Sequence, residues 1–107
     1  MTHYLLLKFT PGYMGDTLFD LARETYEELA RQVPGVHKVR VERNCVARDS
    51  NADLMVCMDL INKDALDTYL DHPLHRDFAA QVESCLVMRL TFDHEEGGSC
   101  KGISGGA

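Results

Sequence analysis

The stretch Ala65-Leu-Asp-Thr-Tyr-Leu-Asp-His-Pro-Leu-His75 decides how the chain is divided into elements. Asn62 ahead of it offers a side-chain oxygen to the first N–H groups of a helix that carries Leu66, Tyr69 and Leu70. Pro73 disfavours αR geometry at His72, so that helix ends there. The same proline lacks an N–H and holds a helical φ, which suits the first turn of a second helix with Leu74, Phe78 and Val82 on one face. One polar and apolar run thus becomes two helices meeting at a corner.

Outside that corner, four segments read as strands: His3 to Phe9, Val36 to Val41, Leu54 to Leu60 and Leu86 to Phe92. The last two alternate apolar residues at every second position, and the second follows a Pro34-Gly35 turn. Arg48-Asp-Ser-Asn51 is a polar turn between the second and third. Between the first two strands, Leu18, Leu21, Ala22, Thr25, Leu29 and Val33 keep helical spacing, with Asp16 or Thr17 as the N-cap. The order β-α-β-β-α-α-β predicts an α+β, ferredoxin-like antiparallel sheet with its helices on one face.

Strand parity assigns two faces. His3, Leu5, Leu7 and Phe9 join Leu54, Val56, Met58, Leu60, Leu86, Met88, Leu90 and Phe92 under the helices. Tyr4, Leu6 and Lys8 join Asp53, Met55, Cys57, Asp59, Val87, Arg89 and Thr91 on the opposite face, where Lys8, Arg40 and Arg89 would neutralise carboxylates. That second face mixes bulky apolar groups with charges and is expected to meet a copy of itself, sheet on sheet, as a dimeric barrel.

With 107 residues the chain is one domain, placed at 1–93, followed by a glycine-rich tail at 94–107 that reads as flexible. A net charge of −6 argues against nucleic acid and anionic membranes as partners. The basic residues Lys38, Arg40, Arg43 and Arg48 read as a solvated strand face. No apolar run spans a bilayer, and the N-terminal leucines lack the basic flank of a signal peptide. Cys45, Cys57, Cys85 and Cys100 show no CxxC spacing, so they are expected as reduced thiols in a cytoplasmic protein. No glycine-rich phosphate loop follows a strand. Asp53 and Asp59 lie about 20 Å apart along one strand, too far for shared acid/base work.

The segments His3-Tyr-Leu-Leu-Leu-Lys-Phe9, Val33-Pro-Gly-Val36, Ala65–His75 and Leu90-Thr-Phe-Asp93 together resemble the stress-responsive A/B barrel (Dabb) family. The resemblance covers about residues 3 to 93. It implies a ferredoxin-like protomer, a two-chain α/β barrel and no obligatory organic cofactor. Most members of the family have no assigned reaction, while some are plant polyketide cyclases working by aldol chemistry. In those enzymes the second histidine of a Tyr-x-x-His-Pro-x-His element resembles a general base assisted by the tyrosine, which correspond to His75 and Tyr69. A histidine near the start of strand one corresponds to His3, whereas this chain has Leu54 where the cyclases place another histidine.

The expected site therefore has His75 as base and Tyr69 as hydrogen-bond donor, with His3, His72, Phe78 and Leu54 against the ligand. An imidazole titrating near neutrality suits proton transfer. His72, just before a proline, also reads as a helix cap. Side-chain metal ligation is not expected, since the proline corner spoils any His72-x-x-His75 pair. Some relatives hold a cation on main-chain carbonyls that match Ala30, Val33 and Val36. Two rival readings stand beside the ligand-binding one: a non-catalytic stress or assembly protein, and an antibiotic-biosynthesis-type or haem-degrading monooxygenase.

Overall fold

The computed structural model describes residues 1–95; of the tail expected at 94–107, His94 closes the last strand and residues 96–107 lie outside the described residues. Strand β1 (Thr2–Phe9) leads into helix α1 (Asp16–Gln32), then β2 (Val36–Arg43) and β3 (Leu54–Leu60). Helices α2 (Lys63–Asp71) and α3 (Pro73–Val82) follow, and a 3-10 turn at Glu83–Cys85 delivers the chain to β4 (Leu86–His94). All pairings are antiparallel in the order β2-β3-β1-β4, so β4 is an edge strand. The ferredoxin-like α+β architecture is as expected.

Local chemistry sets the joints. Asn62 accepts the Ala65 N–H at 2.9 Å, the cap that starts α2. The cap of α1 lies one residue before Asp16: Gly15 occupies it with no side-chain bond. Asp16 instead sits in the first turn, where its charge suits the helix dipole, and accepts from Arg43 of β2 at 2.6 Å. Gly35 adopts φ +89°, and a Cβ there would meet Ile61 Cγ1 at 2.6 Å, so the Pro34-Gly35 turn requires glycine.

The core lies between the sheet and its helices. Leu5, Leu7, Leu54, Val56 and Met58 of the sheet meet Ala22, Leu29 and Phe78 of the helices. Tyr26, absent from the sequence-based helix stripe, is buried there in place of the half-buried Thr25. On α2 the buried pair is Ala65 and Tyr69, while Leu70 is exposed.

One expectation about the sheet is overturned. Lys8 pairs with Met88 but Phe9 pairs with Leu86, so Val87 is an extra residue bulged from β4. The bulge inverts the side-chain parity of everything after it. Leu86 faces the helices as expected, but Met88, Leu90 and Phe92 lie on the outer face beside Lys8, Leu6 and Tyr4. Arg89 and Thr91, assigned to the outer face by alternation, stand opposite Leu7 and Leu5 on the helix side. Arg89 is therefore not an outer-face counter-ion.

Candidate functional site

The Pro73 corner rearranges the hydrogen bonds that a continuous helix would make. In an unbroken helix the Leu74 N–H would bond the Leu70 carbonyl. Here Leu74 N–H donates to His72 Nδ1 at 3.1 Å. The freed Leu70 carbonyl accepts from His75 Nδ1 at 3.0 Å. A carbonyl oxygen only accepts, so Nδ1 of His75 carries the proton and Nε2 keeps its lone pair. Burial lowers the pKa of His75 from its ordinary 6.5, against the opposing pull of the Leu70 carbonyl. The ring is thus a neutral base of fixed tautomer.

Tyr69 rises from the last turns of α2 into the core and is 1% exposed. Its ring meets that of His75 edge-on at 4.8 Å, that of His3 at 5.7 Å and that of Tyr26 at 6.1 Å. Its hydroxyl is buried and makes no hydrogen bond of normal geometry among the described residues, although the Tyr26 phenol lies near enough to perturb it. Burial drives the phenol's pKa strongly upward, so it stays protonated and able to donate. Tyr26 is pushed up to about 12 by the same cause, partly offset by its neighbour Tyr69 and by Arg89.

His3 is held from the sheet. Its Nδ1 lies 2.6 Å from Asp93 Oδ1, and the two residues stand directly opposite in the β1–β4 ladder. Nδ1 donates to the carboxylate, leaving Nε2 as the ring's remaining polar atom.

These groups border one cleft of about 940 Å³ between the α2–α3 corner and the β1–β4 edge. Leu5, Leu7, Phe78, Val82 and Leu86 form its apolar lining. The polar residues His3, Tyr69, His75, Arg89 and Thr91 complete its lining. An apolar cavity with a few convergent polar groups is the ordinary form of a small-molecule site.

A protein-family model described as the stress responsive A/B barrel domain matches residues 1–96. The chain belongs to this Dabb family. Solved structures share its fold. A dimeric ferredoxin-like protein of unknown function from Bacteroides fragilis is 18% identical, with a TM-score of 0.74 over 88% of this chain and 93% of that one. A Dabb family protein from Mesorhizobium loti is 14% identical, with a TM-score of 0.61 over 88% of this chain and 93% of that one. An antibiotic biosynthesis monooxygenase is 14% identical, with a TM-score of 0.65 over 88% of this chain and 97% of that one. No curated protein matches the chain.

Of the residues picked out in the sequence, the Dabb fold brings His75, Tyr69, His3 and Phe78 to the cleft. His72 instead caps α3. Leu54 is a core residue opposite Leu7 and borders a separate, smaller depression near the β2–β3 turn. Among the carbonyls considered for a cation, that of Val33 accepts the Val36 N–H at 3.2 Å. No cluster of three or more metal-ligating side chains occurs among the described residues. Sequence reasoning missed Tyr26, Arg89 and Asp93. Tyr26 was readable, since it lies four residues after Ala22 and three before Leu29; the other two were hidden by the bulge at Val87.

Proposed function

We propose that this Dabb protein acts as a homodimer whose cleft binds a small apolar carbonyl compound and moves a proton at the carbon beside the carbonyl. The reading rests on one observation: Tyr69, whose buried hydroxyl makes no hydrogen bond among the described residues, packs its ring edge-on against a His75 ring whose Nδ1 is already occupied. A buried hydroxyl without a partner costs about 1–3 kcal/mol, and a substrate carbonyl would relieve that cost. In the step proposed, the Cα–H bond breaks and its proton passes to His75 Nε2. The bonding pair becomes the C=C of an enolate, and Tyr69 O–H donates to the developing oxyanion. Return of the proton from His75, or attack of the enolate carbon on a second carbonyl, completes the turnover. His3, held by Asp93, adds a second imidazole at the same wall.

Self-association is supported by the outer face. Phe92 is 63% exposed, Leu90 55% and Met88 52%, a contiguous apolar strip on the edge strand. The Bacteroides fragilis structure of the same fold is itself described as dimeric.

A second reading has one observation in its favour. The bond from His75 to Leu70 also knits α2 to α3, which a purely structural corner would need. Deuterium exchange separates the two. Benzylacetone in D2O should lose its α-proton signals faster with wild type than with buffer, and His75→Ala should abolish the acceleration while remaining folded. An exchange rate equal to buffer for wild type would leave only the structural reading.

A further inference from the structure

Arg89 is the cation the site does not otherwise use. The bulge at Val87 turns it to the helix side, opposite Leu7, where it borders the cleft. It makes no ion pair or side-chain hydrogen bond with any described residue, unlike Arg76 on the same cleft, which pairs with Asp71 at 3.2 Å. Glu83 also borders the cleft but does not reach Arg89. Asp93, two positions beyond Thr91 on the same face, is engaged by His3. The guanidinium's field nevertheless reaches the reactive rings, opposing burial at Tyr26 and Tyr69 and adding to its downward pull at His75. An unpaired guanidinium beside an apolar wall is a fork for a carboxylate, with five donors in fixed geometry.

We infer that the cleft's ligand is a carboxylic acid: an oxo acid whose carboxylate is held by Arg89 while its carbonyl faces Tyr69 and His75 and its apolar body lies on Leu5, Phe78 and Val82. This inference rests on the proposed function and narrows it to a substrate class. The arrangement has a chemical logic. A bare cation near His75 disfavours the imidazolium that proton abstraction creates. A carboxylate on Arg89 neutralises that cation, so binding of the acid raises the basicity of His75 at the moment it is needed. The same guanidinium favours an oxyanion over a neutral carbonyl. Thr91, one residue along the same face of β4, adds a hydroxyl next to it.

The test compares phenylpyruvate, its neutral methyl ester and benzylacetone with wild-type protein, Arg89→Gln and Arg89→Lys, following amide and imidazole resonances by NMR. Arg89 is exposed and outside the core, and circular dichroism checks that the variants fold. Phenylpyruvate should bind wild type about tenfold more tightly than its ester, or better. Arg89→Gln should remove that preference while leaving ester binding unchanged, and Arg89→Lys should retain part of it. Phenylpyruvate, but not benzylacetone, should raise the titration midpoint of His75. Equal binding of acid and ester, or a preference that survives Arg89→Gln, overturns the inference and leaves the carbonyl-binding reading intact. If neither ketone nor acid perturbs Tyr69, His75 or Phe78, the functional reading falls and takes this inference with it.

Discussion

Leu7 of β1 stands directly opposite Arg89 of β4, an apolar core residue facing a guanidinium on the helix side of the sheet. The pairing exists because the ladder skips Val87. Deleting Val87 would remove the bulge while leaving Met88 opposite Lys8 and Arg89 opposite Leu7, so the faces of β4 beyond it would be kept. Arg89 and Thr91 would still border the cleft, and Met88, Leu90 and Phe92 would still form the outer strip. The expected result is a protein that associates as wild type does and keeps its ligand-induced NMR shifts, read by sedimentation and by NMR. A deletion variant that loses both would show that the ladder slips to a new register rather than closing over the missing residue.

The outer face offers a cleaner test of association. Phe92 contacts Tyr4 and His94 there, with ring centroids 6.2 Å and 5.8 Å away respectively. Phe92→Asp places a charge at the centre of that aromatic group without touching the core. It should weaken dimerisation by on the order of 2 kcal/mol, the loss typical of an aromatic anchor. Sedimentation equilibrium should show monomer at concentrations where wild type is dimeric, with the far-ultraviolet spectrum unchanged.

Where the sequence could be read and where it could not follows from how the information is encoded. The proline corner was legible because Pro73 acts on its own neighbours, and the capping of α2 by Asn62 because a cap is local. The faces of β1 and β3 were legible because period-two alternation runs through them unbroken. The face of β4 was not, since Leu86, Met88, Leu90 and Phe92 alternate as an uninterrupted strand would, and only the partner strand reveals the skipped residue. That single irregularity hid both Arg89 and Asp93, while the rings of His75 and Tyr69 were recognisable from the corner that presents them.

Tyr69→Phe should separate stability from function. The hydroxyl it removes is buried and makes no hydrogen bond among the described residues, so its loss should stabilise the fold by about 1 kcal/mol. Urea unfolding should show a higher midpoint with an unchanged slope. The same variant should lose ketone-dependent deuterium exchange. A destabilised Tyr69→Phe would mean that the hydroxyl has a partner in solution.

His72 and His75 are three residues apart and should behave differently. His72→Ala removes the acceptor for the Leu74 N–H and should cost about 1 kcal/mol, as for other lost helix caps. Its ligand-induced NMR shifts at the cleft should match wild type. A His72→Ala variant that stays as stable as wild type but binds no ketone would return His72 to the site.

The pH dependence of His75 fixes the sign of its contribution. Burial lowers its pKa in the folded protein below the unfolded 6.5. Between those two values the unfolded chain binds the proton more readily, so stability rises with pH across that window. Above 6.5 the ring is neutral in both states and its contribution is constant. As pH falls through the lowered folded value the ring protonates, and stability that was present at neutral pH is lost. His75→Gln keeps a polar group at the corner but cannot titrate, so its unfolding free energy should decline less steeply than that of wild type from pH 7 downward. Proton-transfer activity, which needs the free Nε2 lone pair, should hold on the acidic side to pH values below 6.5 and then fall. An acid limb that begins above 6.5 would show that His75 is not the base, or that an anion already sits on Arg89 and raises its pKa; repeating the titration with Arg89→Gln tells these two apart, because only the second responds to the substitution.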